Sequence, residues 1–153
     1  MANTYTQIHL QFIFAVQNRR SLIQQTWKER LYKYITSIVQ NQGHKIIIIN
    51  GMPDHLHIVT GMRPIQAVSE LLQFIKRDSS KWINENKLVA GKFQWQDGFG
   101  AFSYSRSQLP ALINYVLNQE IHHSKKTFLT EYTEMLDKFE ITYEKQYLFH
   151  EIE

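Results

Sequence analysis

Ile46-Ile47-Ile48-Ile49-Asn50-Gly51-Met52-Pro53-Asp54-His55-Leu56-His57-Ile58-Val59-Thr60 holds two apolar runs separated by a Gly/Pro break. Such a pattern reads as two consecutive strands with a tight connection, the first over 45–50 and the second over 55–62. Side chains alternate faces along a strand, so His55 and His57 point one way while Leu56 and Ile58 point the other. Two imidazoles about 7 Å apart on one strand face can share a divalent cation, because neutral imidazole is a good ligand for such ions. The competing reading is two half-exposed polar residues on the wet side of a sheet. A partner elsewhere in the chain has to decide between them.

Working outward, residues 4–17 alternate, with Ile8, Leu10, Phe12, Phe14 and Val16 on one face and Gln7, His9 and Gln11 on the other. This predicts a half-buried strand, closed by the basic turn Gln17-Asn18-Arg19-Arg20. Trp27, Leu31, Tyr34, Ile35, Ile38 and Val39 recur at helical spacing over 24–42, and Asn41-Gln42-Gly43 supplies a stop. After the two central strands, Pro64 fits the first turn of a second helix. Its apolar positions are Ile65, Val68, Leu71, Leu72 and Ile75, with Lys76, Arg77 and Lys81 on or beside the opposite side. Residues 93–105 have strand composition interrupted by Gly98 and Gly100, which predicts a fourth strand with a bend or bulge.

The order is β-α-β-β-α-β, an α+β fold of the ferredoxin-like or RRM-like kind. Helices cover one face of an antiparallel sheet in that arrangement, and the other face is left free to bind. Further helices are expected from Leu109 to about His123 and from Phe128 to about Phe139. The end, Ile141 to Glu153, is an expected edge strand or partner contact.

With 153 residues the chain is read as one domain, 1–153, with room for a sizeable core. It contains no cysteine, which excludes disulfides, thiolate metal sites and a Cys nucleophile. No apolar stretch approaches membrane-spanning length, and the N-terminus lacks the order of a signal peptide. A cytoplasmic protein is expected. The net charge of +3 permits a polyanionic partner without requiring one.

The helix from Leu109 is the second informative stretch. Leu109, Leu112, Ile113, Val116 and Leu117 form its apolar stripe. Tyr115 and Gln119 are four apart and stack on one another at the flank of that stripe. Taken singly, Tyr115 reads as an amphipathic aromatic at the core's edge and Gln119 as a solvated helix residue.

Together, a His-x-His strand and a later Tyr-x-x-x-Gln helix resemble the single-tyrosine HUH transposases of bacterial insertion sequences. That superfamily includes the REP-associated tyrosine transposases, and HUH denotes His-hydrophobic-His, here His55-Leu56-His57. The resemblance also takes in Phe12-Ile-Phe-Ala-Val-Gln-Asn-Arg-Arg, Met52-Pro-Asp-His-Leu-His-Ile-Val, Trp95-Gln-Asp-Gly-Phe-Gly-Ala-Phe-Ser, Tyr115-Val-Leu-Asn-Gln119 with His122-His123, and Phe128 to Tyr132.

The resemblance implies Tyr115 as nucleophile, His55, His57 and Gln119 as metal ligands, and Mg²⁺ or Mn²⁺ as cofactor. It implies a DNA transposase that cleaves and rejoins single-stranded DNA through a 5′-phosphotyrosine, recognising hairpins at element ends. It also implies a homodimer in which each tyrosine helix completes the partner's histidine site, while the sequence itself does not distinguish docking on a helix's own sheet from docking on the partner's. Arg19, Arg20, Lys76, Arg77, Lys81 and Arg106 are candidate phosphate contacts, and Phe99, Phe102 and Tyr104 are candidate stacking surfaces for bases. Two alternatives carry the same residues differently: a domesticated relative that processes chromosomal hairpins, and a non-catalytic nucleic-acid-binding module on a ferredoxin-like sheet.

Overall fold

The computed structural model describes residues 3–123, 126–144 and 148. Its elements are β1 (His9–Ala15), α1 (Lys28–Asn41), β2 (Lys45–Met52), β3 (His55–Gly61), α2 (Val68–Glu85), β4 (Gly100–Tyr104), α3 (Leu109–Leu117), α4 (Gln119–His123) and α5 (Phe128–Lys138). A short 3₁₀ turn, Gln17–Arg19, follows β1, and another, Arg106–Gln108, leads into α3. The four strands form one sheet in the order β2-β3-β1-β4, and every pairing is antiparallel. This is the α+β architecture that the apolar periodicities predict.

Strand alternation divides the sheet into two unlike faces. Phe12 and Phe14 of β1, with Val16 just after it, join Leu56 and Ile58 of β3 on one face, where α1 contributes Leu31, Ile35 and Val39, and α2 contributes Leu71, Leu72 and Ile75. Every one of these side chains is buried. An aromatic row, Phe14 to Trp95 to Phe93, closes this core with edge-on contacts at 4.8 Å each. Trp95 keeps its indole N–H satisfied by donating to Ser79 Oγ at 2.9 Å.

The opposite face is not open. Ile13 and Ala15 of β1 and Phe102 of β4 pack beneath Phe128, Tyr132 and Leu136 of α5. Val59 of β3 packs beneath Leu112 and Val116 of α3. The face expected to be free is roofed by the C-terminal helices, because their apolar stripes have no other surface to bury against.

Several boundaries also differ. The second helix begins at Val68, and Pro64 lies in the preceding turn with Ile65 exposed. The fourth strand shrinks to 100–104, since Gly98 takes a φ of +90° and turns the chain. Trp95 meets Val16 only through an isolated bridge. The expected 109–123 helix is broken at Asn118, whose φ of −98° and ψ of 29° leave the helical region. Residues 141–144 form no strand, and the rest of the expected edge strand lies outside the described residues apart from Leu148. Among the described residues, no helix is long and apolar enough to cross a membrane.

Candidate active site

The site grows from the β3 alternation. His55, His57 and Val59 face the roofed side, and both imidazoles are fully buried, so the half-exposed reading of the pair does not hold. Their ring centroids lie 5.3 Å apart. Ala15 is the cross-strand partner of His55, and its small side chain leaves room for the ring of Phe128 to stack on His55 at 4.0 Å.

Each imidazole is oriented from behind. His55 Nδ1 lies 2.7 Å from Asp54 Oδ1, and the other Asp54 oxygen accepts from Arg19 Nε at 3.2 Å. A carboxylate can only accept, so His55 Nδ1 carries a hydrogen, and in the neutral imidazole Nε2 keeps its lone pair. Burial raises the pKa of Asp54, but the hydrogen bonds from His55 and Arg19 and the positive charge beside the carboxylate outweigh it and hold the carboxyl below its ordinary value. His57 is set in the same manner. Tyr104 Oη accepts from Gln11 Nε2 at 2.8 Å, which turns Gln11 Oε1 toward His57 Nδ1 at 2.7 Å. His57 Nε2 is therefore also a lone-pair atom facing inward.

Two later helices close the front. Gln119 opens α4, is fully buried, and brings Oε1 to 3.3 Å from His55 Nε2. Its Nε2 donates to Glu131 Oε2 at 3.5 Å. Glu131 reaches in from α5, with Oε1 3.3 Å from His57 Nε2 and 3.9 Å from His55 Nε2. Tyr115 at the end of α3 donates its phenol hydrogen to Glu131 Oε2, and its ring lies 6.0 Å from that of His57. Burial pushes the Tyr115 phenol pKa up, and the Glu131 charge and hydrogen bond push it further, against a lowering contact from Gln119.

Lone pairs of two imidazoles thus converge with oxygen acceptors from Gln119 and Glu131. Such a set is repulsive unless a positive charge sits among its members. His55, His57 and Glu131 offer ligand atoms all within 4.8 Å of one another, so the group could hold a metal ion. Two nitrogen and two oxygen donors, with both imidazoles already tautomerically set, fit a divalent cation. Beside the cluster, a cavity of about 510 Å³ has Tyr104, Tyr115, Phe139 and Gln108 in its wall.

The residues matching the IS200-like transposase family model run from 4 to 119, from the approach to β1 through Gln119. The chain belongs to the IS200-like transposase family. This transposase shares its fold with a protein of Deinococcus radiodurans R1 described as a candidate transposase, at 17% identity, a TM-score of 0.63, and 78% and 95% coverage of the two chains. A REP-associated tyrosine transposase bound to a REP hairpin is similar at 17% identity and a TM-score of 0.61, covering 80% of this chain and 73% of that one. No curated protein matches. The family match makes the protein a DNA-processing enzyme of the transposase class.

One chain of the transposase brings Tyr115, His55, His57 and Gln119 together, with the tyrosine helix docked on its own sheet. The six basic candidates do not gather there. Arg19 is buried and spent on Asp54, with its guanidinium 4.8 Å over the Phe128 ring. Positive φ at both Asn18 and Arg19 turns that side chain inward. Lys76, Arg77 and Lys81 ride on α2, across the sheet from the histidines. Lys76 Nζ donates to the carbonyls of Gln96 at 2.9 Å and Gly98 at 2.5 Å, and Arg77 pairs with Asp78. Lys81 lies 3.9 Å from Glu85. Arg20 and Arg106 are exposed on turns next to site-bearing elements.

Among the base-stacking candidates, Phe102 is buried under α5, Phe99 packs on the helical core, and Tyr104 is tied to Gln11. The side chains of His122 and His123 lie outside the described residues. Sequence reasoning took Phe128 to Tyr132 into the resemblance but gave Glu131 no role, and it read Gln11 only as a polar-face residue. Nothing in local sequence marks Glu131, which sits in an ordinary amphipathic helix; its burial at 5% exposure is the signal.

Proposed function

We propose that the transposase cuts and rejoins single-stranded DNA, with Tyr115 as the nucleophile. The observation that carries this reading is the shared Glu131 carboxylate, which touches the Tyr115 hydroxyl through one oxygen and faces both histidines with the other. A free phenol is only about 0.1% ionised at pH 7, and burial disfavours the ion further. Attack therefore needs a proton acceptor and help with charge at the phosphate.

The Tyr115 hydrogen points at Glu131 Oε2, the acceptor to which it passes as the phenol oxygen bonds to phosphorus. The bond from phosphorus to the 3′ oxygen breaks, and that oxygen takes up a proton to leave as a 3′-hydroxyl. The product is a 5′-phosphotyrosine. Because a phosphoester replaces a phosphoester, a different 3′-hydroxyl can reverse the step and join new ends without ATP. His55, His57 and Gln119 would hold Mg²⁺ or Mn²⁺, which when bound supplies Lewis-acid charge and a template for the phosphate. Asp54 and Gln11 keep both imidazole lone pairs turned inward throughout.

The cavity beside Tyr115 offers room for the nucleotide next to the scissile bond. Arg20 and Arg106 retain the role of phosphate contacts. Hairpin-bearing single-stranded DNA is the proposed partner, a reading supported by the hairpin held by the REP-associated neighbour. A homodimer is the proposed assembly, and in it each subunit would work with its own tyrosine, as the docking of α3 favours.

The test is a covalent adduct. Purified protein with Mn²⁺ and a single strand carrying a hairpin end should give a DNA–protein band stable to denaturant. Tyr115→Phe should abolish it while leaving the thermal melt intact; an undiminished band from that variant refutes the assignment.

A further inference from the structure

The neutral set of two imidazoles and one amide is not all that surrounds the centre. We propose that Glu131 is a fourth protein ligand of the metal, so that α5, beyond the stretch matching the family model, is part of the catalytic centre and not only its roof. The inference rests on the metal-centre reading above.

Three observations carry it. Glu131 is buried on the apolar side of α5, between Phe128 and Tyr132, where a carboxylate is costly without compensating charge. Its Oε1 lies 3.3 Å from His57 Nε2 and 3.9 Å from His55 Nε2, on the side where both rings present lone pairs. Its Oε2 is engaged separately by the Tyr115 hydroxyl and the Gln119 amide. One oxygen is thereby aimed at the cation position while the other is occupied by donors. A metal bound by the carboxylate as well as the histidines also ties the nucleophile's hydroxyl to the ion through a single side chain.

The chemical consequence is specific. A carboxylate lowers the net charge of a divalent centre from +2 to +1, and two oxygen donors move the set toward the oxygen-preferring ions Mg²⁺ and Mn²⁺. The contribution should be visible in binding of the metal alone, without DNA.

The experiment titrates Mn²⁺ into the full chain and follows the electron paramagnetic resonance signal of free Mn²⁺. Glu131→Gln preserves shape and removes the charge, and Glu131→Ala removes the ligand. Both should weaken Mn²⁺ binding by about tenfold or more, with the alanine variant at least as weak as the glutamine one. His57→Ala serves as the reference for loss of a histidine ligand. Binding within twofold of wild type in Glu131→Gln and Glu131→Ala, alongside loss in His57→Ala, overturns the Glu131 assignment and leaves the histidine centre standing. Unchanged binding in all three variants removes the metal centre itself, and this inference with it.

Discussion

Asn50 of β2 fastens the end of α3 to the sheet: its Nδ2 donates to the carbonyl of Val116 at 2.9 Å and also to that of Leu117 at 3.2 Å. Asn50 is the cross-strand partner of His57, so the residue beside the histidine pair is also the one that catches the helix. The bonds satisfy carbonyls that a helix terminus leaves without partners. They sit at the break that lets Gln119 leave the line of α3 and turn toward His55.

Asn50→Ala should therefore act on both stability and the site. Loss of the side-chain bonds is worth about 1 kcal/mol, read as a lowered melting temperature. Covalent adduct yield should fall more than the stability loss accounts for, because the spacing between Tyr115 and Gln119 loosens. Chemical denaturation and adduct formation measured on the same preparation check the two effects.

Asp54 and Gln11 are predicted to tune metal affinity without touching the metal. Asp54→Leu removes the acceptor of His55 Nδ1, and Gln11→Leu removes that of His57 Nδ1. Each should weaken Mn²⁺ binding by roughly 10–100-fold, the usual cost of losing the hydrogen bond behind a metal-binding imidazole. Calorimetric titration with Mn²⁺ is the measurement, and affinity equal to wild type would show that ring orientation is held by packing alone.

Gly51 is predicted to be intolerant of any side chain. A Cβ built there falls onto the carbonyl oxygen of His55 and comes within 2.9 Å of Leu56 Cα. Both are backbone atoms of the adjoining strand and cannot rotate away. Gly51→Ala should cost at least about 1–3 kcal/mol, as overpacking does, and should displace His55. A melting temperature equal to wild type would contradict the packing of the β2–β3 turn.

Lys76 gives a signed pH dependence remote from the histidines. Burial lowers its ammonium from the ordinary 10.5 to about 8, against a raising effect from Asp97. Between about pH 8 and pH 10 the unfolded chain binds the proton that the folded chain releases, so the Lys76 contribution to stability rises with pH. Above that window half-buried Tyr104 and buried Tyr132, both pushed up to about 12 by desolvation, oppose it, since the folded state resists their ionisation. Lys76→Met should flatten the rise when stability to urea is measured from pH 7.5 to 10.

The strands, the two sheet-covering helices and the ferredoxin-like order were legible because apolar period is a local property. Phe12, Phe14, Leu56, Ile58, Leu71 and Ile75 lie where alternation and helical spacing put them. His55 and His57 share a face because β-strand alternation admits no other arrangement, and Tyr115 with Gln119 stood out through helical spacing. The break at Asn118 did not show, since it depends on Asn50, 68 residues earlier in the numbering.

What the chain's own sequence determined is the order of the sheet strands and the helices on them, the layered fold, the paired imidazoles and the membership of a transposase family. What tertiary structure alone decided is the closure of the site. Roofing of the second sheet face, the inward turn of Arg19 and the arrival of Glu131 all depend on contacts between residues far apart in the chain. Local periodicity records which side of an element is apolar, but not which distant element comes to cover it. A carboxylate gains its meaning from what it is buried against, and for Glu131 only the folded chain supplies the two histidines and the tyrosine.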